Sequence, residues 1–326
     1  MFNNFPKNST KIFICPKCQE EIKPITKFVK QEKSIVGEKE IISYFEYEIN
    51  KINYEKSLKS SFCIRTVQSG ALRILLQSLS KFLDEIILKI TEKGISFLKV
   101  SEDNVMFHLN LKTEQFENYI VNEKECWDSD EKEIIYLNVN LKETTSIFKQ
   151  IKNDDTLCFR KEKNCDFWEL NIQNSEKNTD STYKFLNKSD IIEEIKINRK
   201  LCDYNLVFPF NLIDETIKKM DVLLPKDILI EINEQSLNFF CEKEDKTQSC
   251  VNKNFSGDYS KNNSSEKYKT EIINGKYSFN KFKSIQSFLN LCNCINIFTK
   301  QDDVLIFSIS VASLGELKVC IAPIIN

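Results

Sequence analysis

From Phe62 onward, apolar positions follow the two periods that mark strands and helices. The run CIRTVQSGALRILLQSLSKFLDE opens as a short strand. It then places Leu72, Leu75, Leu76, Leu79, Phe82 and Leu83 on one face at helical spacing. Arg73, Gln77, Ser80, Lys81 and Asp84 fall off that stripe. IILKIT, GISFLKV and NVMFHLNLK follow as strands, with Gly94 at the turn between the first two. In the last of them Val105, Phe107, Leu109 and Leu111 alternate onto one side, which puts Met106, His108 and Asn110 on the other.

The same order returns. LVFPFNLIDETIKKMDVL reads as a strand and a helix that Pro209 helps to start. ILIEINEQSLNFFCEKEDK then matches the pattern of ILKITEKGISFLKVSEDN at an offset of 142 residues, pairing Glu92 with Glu234 and Phe97 with Phe239. Further copies begin at IIYLNVNLKETTSIFKQ and at GKYSFNKFKSIQSFLNL. The body therefore reads as four strand–helix–strand–strand–strand units grouped in two domains, an α+β chain with helices packed on curved antiparallel sheets. The polar run QNSEKNTDST suggests the division. This predicts an N-terminal extension over 1–61, a first domain over 62–172, a connector over 173–188 and a second domain over 189–326. The polar stretch 252–269 reads as a loop within the second domain.

Composition narrows the chemistry. The chain has 326 residues, with 46 Lys and Arg against 48 Asp and Glu, so its net charge of −2 says little about any one face. A single His, His108, excludes multi-His metal sites and most His-dependent catalysis; it reads as a structural or surface residue. No apolar run reaches the roughly 18 residues of a membrane span. The N-terminus lacks a signal-peptide hydrophobic region, and the 12 Cys read mostly as small hydrophobes in a reducing compartment. Cys15 and Cys18 form CPKC, which is half of a Cys₄ zinc site, a redox pair or an ordinary CxxC. Asp154–Asp155 and Asp302–Asp303 fall in equivalent polar turns, which favours turn chemistry over a metal-dependent hydrolase. No catalytic set is expected.

The outer helix faces carry a thin positive stripe: Arg73 and Lys81, Lys142 and Lys149, Lys218 and Lys219, Lys281 and Lys283. Two readings stand, a solvated surface or sequence-independent phosphate contact. Asp214 and Asp221 lie near the third pair.

Three ordered segments resemble proliferating cell nuclear antigen, the eukaryotic and viral DNA polymerase sliding clamp. They are VQSGALRILLQSLSKFLDEIILKITEKGISFLKVSEDNVMFHLNLKTEQFENY at 67–119, VNLKETTSIFKQIKNDDTLCFR at 139–160, and the terminal LGELKVCIAPII at 314–325. The resemblance covers about residues 62–326 and implies a DNA clamp fold. It implies a homotrimeric ring around double-stranded DNA, without catalysis or cofactor, that tethers DNA polymerase and other clamp-binding peptides and is opened by a clamp loader. The site of action would be the nucleus or the replication site of a large DNA virus. A subunit of a heteromeric checkpoint-type clamp is the alternative.

Carried over by position, the resemblance makes Arg73, Lys149, Lys218 and Lys283 DNA-facing. Lys81 stands in where Ser80 replaces a usual Lys; Ser146 and Asn290 also fall where the family more often has Lys. It assigns Val100 and Val105 to the floor of the partner groove, and Cys320, Ala322 and Pro323 to its tail side, with Cys320 in place of a usual aromatic. Subunit contacts would lie near 166–172, with Phe167 and Trp168, and near 237–250.

Overall fold

The computed structural model describes residues 13–14, 21–22, 60–121, 134–163, 165–174, 177, 179–187, 204–232, 237–243, 246–252, 256–258, 273–299 and 304–324. Cys15, Cys18, Asp302, Asp303 and most of 252–269 lie outside these residues. The chain divides into two units, 1–53 and 54–326. In the first, strands Phe13–Ile14 and Glu21–Ile22 pair antiparallel.

In the second unit the strand–helix–strand–strand–strand order occurs four times. Helix α1 spans Ser69–Leu79, α2 Leu141–Phe148, α3 Phe210–Asp221 and α4 Phe279–Lys283. Each follows directly on a strand or a short turn after one. The first strand begins at Ser60, two residues before the expected domain start.

Local chemistry sets the helix bounds. Leu72, Leu75, Leu76 and Leu79 bury the expected stripe of α1. The helix ends before Phe82 and Leu83, where Ser80 Oγ donates back to the Gln77 carbonyl. Asn140 caps α2, its side chain accepting from the Lys142 and Glu143 backbone N–H groups. Pro209 is the N-cap of α3. Beyond α4 the chain tightens into a 3₁₀ helix, Ser284–Phe288. Phe279, Phe282, Ile285 and Phe288 are all buried at a spacing of three, which suits three residues per turn.

Three antiparallel sheets carry these helices. A five-stranded sheet runs in the order 179–186, 167–174, 156–162, 60–66, 118–121. A nine-stranded sheet runs 256–258, 204–209, 294–299, 305–311, 315–321, 105–112, 94–100, 85–91, 135–140. A four-stranded sheet runs 246–252, 237–243, 227–232, 273–278. The nine-stranded sheet joins the two halves of the repeat, because 315–321 pairs antiparallel with 105–112. Gly94 begins strand 94–100 at φ +139°, where a Cβ would lie 1.9 Å from the Leu111 carbonyl oxygen, so a side chain there would collide with backbone.

One boundary is corrected. The segment 173–188, expected as a connector, holds strand Thr179–Leu186, paired along its length with Phe167–Asn174. Its polar first half reads as breaker-rich. Strand 167–174 nevertheless pairs with one side of 179–186, and Tyr183 and Phe185 pack against the core.

Candidate nucleic-acid interface and docking surfaces

The four helices lie side by side in the order α2, α1, α4 with its 3₁₀ extension, α3, and side-chain bonds stitch the row. Ser69 Oγ donates to the Lys152 and Asn153 carbonyls beyond α2. Ser78 Oγ donates to the Ser287 carbonyl at 2.5 Å. Gln286 Nε2 donates to Asp214 Oδ1 at 2.8 Å. Beneath the row, Phe82, Phe107 and Phe288 form one aromatic cluster between the helical layer and the nine-stranded sheet.

The predicted DNA-facing residues all fall in or beside this row, but most are engaged within the protein. Arg73 donates to the Ile151 carbonyl and to Asn153 Oδ1, which fastens α1 to the turn after α2. Lys81 is exposed, with Nζ 3.5 Å from Ser287 Oγ. Lys149 is exposed at the C-terminal cap of α2. Lys218 pairs with Asp214 at 2.5 Å, one helical turn away. Lys283 pairs with Asp221 at 2.6 Å across the α4–α3 boundary. Asp214 and Asp221 therefore neutralise two of the five cations. The row is only weakly positive, which suits diffuse phosphate contact rather than base readout.

At the proposed groove the structure changes one residue. Val100, Met106, Cys320 and Ile306 stand in register across four adjacent strands, on the sheet face turned from the helices. Val105 is 2% exposed and points the other way, into the core with Phe107. A one-residue step along a strand reverses the face, so Met106 replaces Val105 as the neighbour of Val100. The alternation of 105–112 already carried that signal. Val100 is 41% exposed and Cys320 buried. Beyond Cys320, Ala322 is exposed and Pro323 half-buried, and the Ile324 N–H bonds the Lys276 carbonyl at 2.7 Å. His108 is half-buried on the same face, opposite Lys318.

The segment 166–172, expected at a subunit contact, is not a sheet edge. Strand 167–174 is paired on both sides, so it has no free backbone edge. Trp168 is a core residue: its ring stacks on Phe185 at 4.3 Å and Nε1 donates to the Asn138 carbonyl. Phe167 is exposed. One edge of this sheet is 179–186, where Thr179–Thr182 are exposed, and the other is 118–121. Within the expected 237–250, strand 246–252 lies at an edge of the four-stranded sheet and 237–243 is paired on both sides. Strand 179–186 was missed because its polar residues carry little apolar period.

Beside the first edge, Glu169 bonds Arg160 and Lys184. Burial opposes its charged form, but the bonds from Lys184 and Arg160 prevail and hold the carboxyl below its ordinary value. Among the described residues, no group of three or more His, Cys, Asp or Glu is placed to hold a metal ion. No helix among them is long and apolar enough to cross a membrane.

Residues 62–194 match the family model "Proliferating cell nuclear antigen, N-terminal domain". The chain is also 26% identical over 273 residues to the "Probable DNA polymerase sliding clamp 1" of Paramecium bursaria Chlorella virus 1, an alignment that spans 81% of this chain and 97% of that protein. Both similarities support a sliding-clamp assignment, and the observed α+β architecture is consistent with it.

Proposed function

We propose that this chain is a DNA polymerase processivity factor, a sliding clamp of two similar domains that closes into a homotrimeric ring around duplex DNA. One observation carries the reading: the four helices form a single row over antiparallel sheets, in a chain that aligns with nearly the full length of a viral sliding clamp. In the ring the helical row faces the DNA and the sheets face outward. Edge 179–186 of one copy pairs with edge 246–252 of the next, which completes the unmet backbone bonds of both. A clamp loader opens one such junction.

The clamp does no chemistry. Once closed, it is held on DNA by topology, and a polymerase docked on it is confined near its template at high effective concentration. Polymerases and other partners dock through apolar peptides on the row Val100–Met106–Cys320, beside Ala322 and Pro323. The place of action is the nucleus or the replication site of a large DNA virus.

The Asp221→Asn variant tests the DNA-facing row. It releases Lys283 from its ion pair without removing a core contact. The expected result is tighter duplex binding at low salt, with the slope of log affinity against log salt steeper by about one. Fluorescence anisotropy across a salt series measures both. An unchanged affinity and slope would count against phosphate contact by this row.

A further inference from the structure

We propose that Cys63 and Cys158 form a peroxide-reactive dithiol that closes reversibly into a disulfide between the first strand of the five-stranded sheet and its neighbour. Neither the clamp reading nor the comparisons call for this pair.

The geometry is specific. Strands 60–66 and 156–162 are adjacent, and the two Sγ atoms lie 3.7 Å apart although the residues are 95 positions apart in sequence. Cys63 stands opposite Arg160 and Cys158 opposite Arg65. The thiols thus occupy one diagonal of a four-residue patch and guanidinium-bearing residues the other. Phe62 and Ile64 are fully buried, so the alternation of strand 60–66 turns Cys63 and Arg65 to the opposite face from that core. Cys63 is 9% exposed, and Cys158 is half-buried.

Arg160 and Arg65 favour a thiolate at either sulfur. The hydrogen bond between the two sulfurs, in which either can donate, lowers the Cys63 thiol against the cost of burial. The same bond, reinforced by burial, pushes Cys158 up. Either sulfur can attack and the other resolve; the steps below are written with Cys63 as the attacker.

With hydrogen peroxide as oxidant, the Cys63 thiolate attacks one peroxide oxygen. The O–O bond breaks, hydroxide leaves and Cys63 becomes a sulfenic acid. Cys158 sulfur then attacks Cys63 sulfur; the S–O bond breaks, and the departing oxygen leaves as water with the Cys158 proton. Two thiols lose two electrons and two protons, and one peroxide becomes two waters. The sulfurs must close from 3.7 Å to about 2.05 Å, with the two neighbouring strands adjusting to the diagonal placement of the pair. In a reducing compartment such a bond is transient and serves as a sensor.

The test treats the full chain with hydrogen peroxide at neutral pH and maps non-reduced peptides by mass spectrometry. The expected product is a Cys63–Cys158 cross-linked peptide, lost on adding dithiothreitol. Cys63 and Cys158 should be lost from the alkylatable pool before the exposed Cys294. In Cys158→Ser or Cys63→Ser the remaining thiol has no resolving partner, and dimedone traps it as a sulfenic acid. Wild-type protein in which Cys63 and Cys158 remain alkylatable after Cys294 has oxidised would overturn the proposal, whatever the behaviour of the variants.

Discussion

Phe107→Ala lowers the stability of the folded chain by about 3–5 kcal/mol. Phe107 is fully buried near the middle of the nine-stranded sheet. Its ring lies 5.5 Å from Phe82, just beyond α1, and 6.1 Å from Phe288, at the end of the 3₁₀ segment after α4. Those neighbours come from opposite halves of the chain, so truncation opens a cavity where the halves meet. Neither the sheet nor the stitched helices can close it without breaking their own bonds. Phe107→Leu keeps most of the volume and costs less than about 1.5 kcal/mol. Urea unfolding followed by circular dichroism measures both. A loss below about 1 kcal/mol for the alanine variant would mean that this aromatic cluster does not unite the helical layer with the sheet.

Of the two variants Ser181→Pro and Thr182→Pro, one abolishes self-association and keeps a near wild-type melting temperature, while the other destabilises the 167–186 hairpin. Strand 179–186 has a partner on one side only. Consecutive N–H groups along a strand point to opposite sides, so one residue of the pair donates inward to 167–174 and its neighbour points outward. Proline removes the donor and crowds the space beside it. At the outward position it leaves the hairpin intact and weakens each junction with a second copy by roughly 100-fold. Thermal melts identify the inward variant, and light scattering reads the mass of the other. If the variant with wild-type stability also keeps wild-type mass, the edge 179–186 is not a subunit junction.

Much of this architecture was legible because it rests on short-range periodicity. The stripe Leu72, Leu75, Leu76, Leu79 and the alternation Val105, Phe107, Leu109, Leu111 are both buried as their spacing demands. Edge 179–186 was hidden because TDST has the composition of a turn, and its strand state comes from pairing with 167–174. Trp168 looked like a surface anchor because its burial depends on Phe185 and Asn138, which local pattern does not reveal. In the helical row, the Lys218–Asp214 pair follows from helical spacing, whereas Lys283–Asp221 spans 62 residues and appears only once α3 and α4 are side by side. The groove shows the opposite error. Alternation already placed Met106 outward, and positional resemblance put Val105 in its stead.

The central claim, a closed ring held on DNA by topology, is tested most directly by retention on circular and linearised duplex of the same sequence, with mass measured by light scattering. The expected particle has three times the mass of the 38.2 kDa chain. Once loaded, it stays on closed circles at a salt concentration that disrupts phosphate contacts and slides off after linearisation. A 38.2 kDa species at every concentration, or equal retention on circles and linear DNA, would contradict it.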